Sequence, residues 1–248
     1  MMGNLTNKFW VVYQPVWDRH QNHSRHVEAF VRWYVETQGM ISPHQIVSIL
    51  TRQGRAAALD KWVAQQSIAA ISALRRVHSG MTLGLRLSLA LLGDLQWVPL
   101  VREWLELAGM TERDVLWEVH ETVAADPDHW LALQTLKDEG FPLALDHFGS
   151  GMSFQALEAT SFDVLKIDRR FVSPQCLATT RGLVREMIDL GHRLGCRVWA
   201  EGVESVETWV TLAQDHIDGV QGYAISPPVE QEAVSDFLAH FPEFSLPT

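Results

Sequence analysis

Acidic residues directly follow short apolar runs at several points of this chain. Each run is rich in Val, Leu, Ala or Trp and has the length of a buried strand. The acids concerned are Glu28, Glu118, Asp146, Asp168 and Glu201. A buried carboxylate is unfavourable unless a cation lies against it. The pattern therefore predicts that strand ends bring these acids together around a metal ion or a basic side chain.

The segments between these runs have the apolar spacing of amphipathic helices, most clearly over residues 56–78 and 177–194. Alternating strands and helices predict a mostly parallel sheet. Two adjacent strands, at residues 9–16 and 25–33, open the series without a helix between them. A chain of 248 residues fits one α/β barrel. We therefore expect a TIM-barrel-like (β/α)8 barrel with a modified first strand, as one domain over residues 1–248.

Composition restricts the partners and the compartment. The formal net charge of −10 argues against a nucleic-acid polymer as partner. No apolar run approaches the roughly 20 residues of a membrane span. Cys176 and Cys196 have no metal-ligand spacing, and they fit small apolar residues of a reduced compartment. No secretory signal precedes the first strand, so we expect a cytoplasmic protein.

Seven short motifs occur in the order of those in the EAL-domain family, the cyclic di-GMP phosphodiesterases and their degenerate relatives. They are Tyr13-Gln14-Pro15, VEAFVRW from Val27, EVHET from Glu118, DHFGSG from Asp146, Lys166-Ile167-Asp168, AEGVE from Ala200, and Gln221-Gly222-Tyr223. They extend from about Tyr13 to Pro228, which is nearly the whole chain. The chain thus resembles this family, and the resemblance implies a β/α barrel that acts in bacterial cyclic di-GMP signalling.

The resemblance also implies roles for individual residues. Metal ligands would be Glu28, Glu118, Asp146 and His147. Lys166 and Glu201 would be catalytic and would orient or activate the water. The nucleotide would be contacted by Gln14, Arg32 and Gln221. Glu121 and Glu204 would support loops, Glu121 the one that begins at Asp146.

Two metal-ligand positions depart from the family pattern. Arg86 stands where the family has a metal-binding Asn, and a guanidinium has no lone pair to offer a cation. His147 replaces a second Asp, and imidazole suits Mn²⁺ or Zn²⁺ better than Mg²⁺. Pro227 stands where the family often has Arg. The stretch between Gly151 and Lys166, where the family makes dimer contacts, is slightly short, so the sequence leaves a homodimer open.

Arg86 allows two interpretations. Inward alternation along its strand favours a guanidinium that takes the place of the first metal and pairs with Glu28, Glu118 or Asp146. Alternatively, the side chain points to solvent and leaves the metal site partly intact.

Three functions therefore remain. The sequence favours a degenerate domain that binds cyclic di-GMP, a protein partner or both, without efficient hydrolysis. The alternative is an active phosphodiesterase giving linear pGpG. An active domain would need Mg²⁺ or Mn²⁺, and a non-catalytic one would need no metal. The third is a protein-interaction regulator that no longer binds the nucleotide.

Overall fold

One sheet of nine strands organises the computed structural model, which describes residues 9–19, 23–151 and 154–240. The strands are β1 (Phe9–Asp18), β2 (His23–Val35), β3 (Gly39–Ile41), β4 (Thr82–Arg86), β5 (Val115–His120), β6 (Leu143–Phe148), β7 (Val164–Ile167), β8 (Arg197–Ala200) and β9 (Gly219–Gln221). Within the described residues eight strands close a ring in the order β1-β2-β4-β5-β6-β7-β8-β9. The predicted TIM-barrel-like fold is confirmed. The limits 1–248 stay a prediction, because both termini lie outside the described residues.

The first strand is the modified one. β1 runs antiparallel to β2, with Tyr13 opposite Ala29, and antiparallel to β9, with Val16 opposite Gln221. The other neighbours in the ring are parallel. The connection between β1 and β2 is too short for the crossover that parallel strands need, so the two strands pair as a hairpin. β1 thereby joins the two ends of the chain and closes the barrel.

Helices connect the parallel strands. They are α1 (Pro43–Arg52), α2 (Ala56–Arg75), α3 (Leu89–Leu92), α4 (Val98–Leu107), α5 (Glu121–Ala124), α6 (Trp130–Asp138), α7 (Phe154–Ala159), α8 (Arg169–Val172), α9 (Pro174–Arg193), α10 (Val206–Gln214) and α11 (Gln231–His240). The start of α1 follows from its sequence, since Ser42 forms a capping box with Gln45 and Pro43 is the first helical residue. In the described part of the chain, no helix is long and apolar enough to span a membrane.

Several elements differ from the sequence expectation; the helix expected over 177–194, for example, is α9 over Pro174–Arg193. β3 was not predicted, because three residues are too few to show an alternating pattern. The helix predicted to end at residue 78 ends at Arg75 and closes with a short turn, in which Val77 N–H donates to Leu74 O. The apolar run of β4 continues to Leu89 in the sequence, but the strand ends at Arg86. Beyond it, Ser88 directly precedes α3, and its hydroxyl donates to Asp60 instead of to the helix backbone.

The apolar core has two layers. The outer one lies between the sheet and the helices. The inner one fills the barrel with Val16, Leu116, Ala144, Val164 and Trp199. Gly219 admits the indole of Trp199, because a Cβ at Gly219 would lie 2.5 Å from Trp199 Cδ1. This apolar layer closes the barrel beneath the charged residues.

Candidate active site and ligand pocket

A cavity of about 420 Å³ opens where the parallel strands end. This is the face at which β/α barrels place their active sites. Seven of the predicted site residues line the cavity: Gln14, Glu28, Asp146, His147, Glu201, Glu204 and Gln221. The other lining residues are Phe30, Arg86, Arg169, Gly202, Gly222 and Tyr223. The strand ends thus bring together residues that are far apart in the sequence.

Lys166 lies at the centre of the carboxylates. Its Nζ donates to Glu28 Oε2 at 2.8 Å and to Glu118 Oε2 at 2.6 Å. It also lies 2.8 Å from Glu201 Oε1. The lysine side chain is 1% exposed, so the ammonium has left water and depends on these three acids.

The pKa values in this cluster reflect burial and charge together. Burial and the nearby Glu28 raise the pKa of Glu118 well above its usual value, although Lys166 opposes the shift. Burial and Asp146 likewise raise the pKa of Glu201. Burial would lower the pKa of Lys166, but the glutamates around it raise it well above the usual value. The lysine therefore stays charged at any physiological pH, while the excess of acids favours proton uptake by the glutamates.

Asp146 and His147 form a second charged pair. His147 Nδ1 lies 2.9 Å from Asp146 Oδ2. The aspartate raises the pKa of His147. Burial would raise the pKa of Asp146, yet Lys166 and His147 hold it below its usual value. His147 has a φ of 62°, a left-handed conformation within β6, where the register with β7 shifts between Leu145 and Phe148.

The residues present could hold a cation. Ligand atoms of Asp146, His147 and Glu201 lie within 4.8 Å of one another. Asp146 Oδ1 is buried and has no hydrogen-bond partner among the described residues, and the same holds for Glu118 Oε1. Buried acceptors without donors are rare in folded proteins, and a metal ion satisfies them. A divalent ion with oxygen and imidazole ligands therefore fits beside Asp146.

Arg86 does not have the role that strand alternation favoured. Its side chain is exposed and lines the cavity. Within the described residues it forms no ion pair with Glu28, Glu118 or Asp146. Lys166 already supplies the buried cation that these acids need. Arg86 is the last residue of β4 and the exposed one of that strand, which fits a long side chain that keeps its charged end in solvent.

The acids outside the lysine cluster have different structural positions. Glu121 Oε2 accepts hydrogen bonds from the Ser150 hydroxyl at 3.0 Å and from Gly151 N–H at 2.7 Å. It thus connects α5 to the loop after β6. Asp168 caps α8 by accepting from Arg170 N–H at 2.8 Å, and it does not line the cavity. Glu204 lines the cavity, and its loop-supporting role stays a prediction.

The predicted nucleotide contacts divide into two groups. Gln14 and Gln221 are buried at the cavity wall. Gln221 Nε2 donates to Glu28 Oε2 at 2.8 Å, and Gln14 Nε2 donates to Ser226 O at 2.9 Å. Arg32 is not among the lining residues, and its guanidinium lies 5.8 Å from the ring centre of Phe30. Its contact with nucleotide stays a prediction.

Sequence reasoning did not select Arg169 and Tyr223 as site residues. Arg169 is the second residue after the end of β7, on the barrel face where loops carry function. This position after a strand is the sequence feature that could have identified Arg169 as a site residue. Tyr223 is 71% exposed although it is aromatic, and only the structure shows this exposure.

Comparison with known proteins agrees with the fold and the motifs. The family model for the EAL domain matches residues 4–228. The protein MbaA of Vibrio cholerae, which maintains biofilm architecture, is 28% identical over 239 residues, covering 96% of this chain and 30% of that protein. The cyclic di-GMP phosphodiesterase NbdA of Pseudomonas aeruginosa is 29% identical, covering 91% of this chain and 30% of that protein.

Solved structures show the same fold. The EAL domain of FimX from Pseudomonas aeruginosa, bound to cyclic di-GMP, superposes with a TM-score of 0.79 at 23% identity, covering 90% of this chain and 92% of that one. The chain belongs to the EAL domain family. It spans about 30% of the length of the curated relatives named above.

Proposed function

We propose that this EAL domain binds cyclic di-GMP and hydrolyses it weakly or not at all. The observation that supports this most directly is a cavity that keeps Gln14, Glu201 and Gln221 in its wall but has Arg86 where the family pattern has a metal-binding Asn. The buried amides can recognise polar groups of a ligand. A guanidinium cannot ligate a metal ion.

Weak hydrolysis follows from the chemistry of phosphodiester cleavage. The reaction needs an activated water and neutralisation of phosphate charge, which two adjacent metal ions supply together. In the described ranges, one group of three side chains has metal-ligand geometry. Loss of one charge-stabilising element commonly lowers the rate about 10²- to 10³-fold. We therefore expect hydrolysis of cyclic di-GMP to be at least about 10²- to 10³-fold slower than in an EAL domain that has all its metal ligands.

A second candidate is an active phosphodiesterase that gives linear pGpG. The group formed by Asp146, His147 and Glu201 favours it, together with the unpartnered Asp146 Oδ1. A bound Mn²⁺ or Zn²⁺ would supply charge neutralisation at the phosphate. Lys166 would hold Glu201 in place through their 2.8 Å contact.

Calorimetry with cyclic di-GMP, first in EDTA and then in Mn²⁺ or Mg²⁺, tests the proposal when product analysis is run on the same samples. We expect binding with little or no linear pGpG. Tyr223→Ala should weaken binding, since stacking on an aromatic ring contributes about 1–3 kcal/mol per base. Tyr34→Ala is the matched control, because Tyr34 is an exposed tyrosine outside the cavity.

Three results would contradict the proposal in different ways. Rapid turnover in Mn²⁺ would establish the phosphodiesterase. Absence of binding in every buffer would favour a regulator that acts through a protein partner alone. Equal losses for Tyr223→Ala and Tyr34→Ala would place the ligand outside this cavity.

A further inference from the structure

One buried lysine offsets part of the negative charge of the acids around the cavity. Lys166 contacts Glu28, Glu118 and Glu201 at 2.6–2.8 Å. Asp146 has His147 at 2.9 Å. The lysine contacts offset only part of the negative charge that would repel an anionic ligand. Whether the cavity attracts an anion therefore depends also on the charged side chains nearer its opening.

Two of those side chains are arginines. Arg86 ends β4 and Arg169 begins α8, and both line the cavity. Among the described residues, no carboxylate lies within 4.0 Å of either guanidinium. By contrast, Arg181 and Arg197 do not line the cavity, and each pairs with an aspartate. Burial raises the pKa of Asp60 to about 6, although its hydrogen bond with Ser88 and the nearby Arg86 both oppose the shift.

We propose that Arg86, assisted by Arg169, forms a cationic clamp for the phosphate groups of the ligand, so that the cavity takes a phosphodiester without a divalent cation. This inference rests on the proposed binding function and specifies how this chain achieves it. Where the family pattern has an Asn that binds a metal ion, this chain thus has an arginine that binds a phosphate group.

The chemistry of guanidinium suits this role. Its planar set of donors matches two phosphate oxygens at once, and it stays charged at all relevant pH values. Arg86 is exposed before the ligand binds, so it gives up no internal ion pair to make the contact. A buried metal site would instead require Lys166 and His147 to share their acids with a second cation.

The test is the dissociation constant of cyclic di-GMP in EDTA and in Mn²⁺ for four proteins: the wild type, Arg86→Asn, Arg86→Lys and Arg185→Asn. Loss of a charge-assisted contact should weaken binding to Arg86→Asn in EDTA about 10- to 100-fold. Lysine should restore part of the affinity, because it keeps the charge but not the two-point geometry. Arg185→Asn removes the same charge beside Asp215, away from the cavity, and should bind like the wild type.

Mn²⁺ separates the clamp from a metal site. It should change wild-type binding little but restore binding to Arg86→Asn, since an amide oxygen can ligate the ion. If the wild type binds only with Mn²⁺ and Arg86→Asn binds at least as tightly, the clamp is wrong while the binding function stands. If the wild type binds in neither buffer, both proposals fail. Melting curves check that each variant is folded. Arg169→Gln removes the other positive charge of the clamp and should also weaken binding in EDTA.

Discussion

Among single residues, Lys166 has the strongest influence on the electrostatics of the cavity. The sequence placed it in the site through the Lys-Ile-Asp motif, and the structure shows that three glutamates share its ammonium. No local pattern could reveal this sharing, because Glu28 is 138 residues away from Lys166. The same cause explains why the interpretation of Arg86 went wrong. The alternation of side chains along a strand predicts which face of the sheet Arg86 is on. It does not predict whether Arg86 or Lys166 contacts the acids.

Lys166→Met should destabilise the fold, because it leaves buried carboxylates without their cation. Breaking a buried pair in this way costs about 3–5 kcal/mol. Lys137→Met is the control, since its partner Asp163 is 42% exposed and such a pair contributes about 1 kcal/mol or less. Urea unfolding would measure both losses. Equal losses would show that the buried cluster has no special role.

The loss in Lys166→Met should also depend on pH. Burial already raises the pKa values of Glu118 and Glu201 above those of the unfolded chain, and loss of the ammonium raises them further. The folded state then binds more protons than the unfolded state, so stability falls as pH rises through the interval between the two sets of pKa values. We expect the variant to be closest to the wild type near pH 5 and furthest from it near pH 8. A loss that is the same at both pH values would contradict this.

At the level of strands and helices, much of the order could be predicted. As expected, the apolar runs before Glu118 and Asp146 lie in β5 and β6, and Glu201 directly follows β8. What could not be predicted is which positions inside the barrel must be small. Gly84 is one example, since a Cβ there would lie 2.8 Å from His26 Nε2 and would clash with Glu118 Oε1. The sequence of β4 shows only a glycine between two leucines.

Gly84→Ala and Gly182→Ala should therefore have opposite effects on stability. At Gly84 the added methyl group meets the filled barrel interior, and overpacking of this kind costs about 1–3 kcal/mol. Gly182 lies in α9 with no atom within 4 Å of an added Cβ, so alanine should stabilise the helix by about 0.5–1 kcal/mol. Denaturant melts of both variants would decide. A stabilised Gly84→Ala would show that the cluster around Glu118 has room to move.

For the molecule as a whole, the cavity draws on strands from both ends of the chain. Gln14 comes from β1, Asp146 from β6 and Gln221 from β9. β1 pairs with β2 and β9 and so closes the barrel. A ligand that contacts these strands together stabilises the closed ring as well as the loops around the opening.

Cyclic di-GMP should therefore raise the melting temperature of the whole domain in one cooperative transition. At a free concentration of 100 times the dissociation constant, mass action adds about 2.7 kcal/mol of stability. For a chain of this size that corresponds to about 5–10 °C. Calorimetry would measure the shift, and hydrogen exchange should show added protection in both β1 and β9. ATP at the same concentration controls for general ionic effects, and protection confined to the loops would mean that the ligand does not bridge the strands that close the barrel.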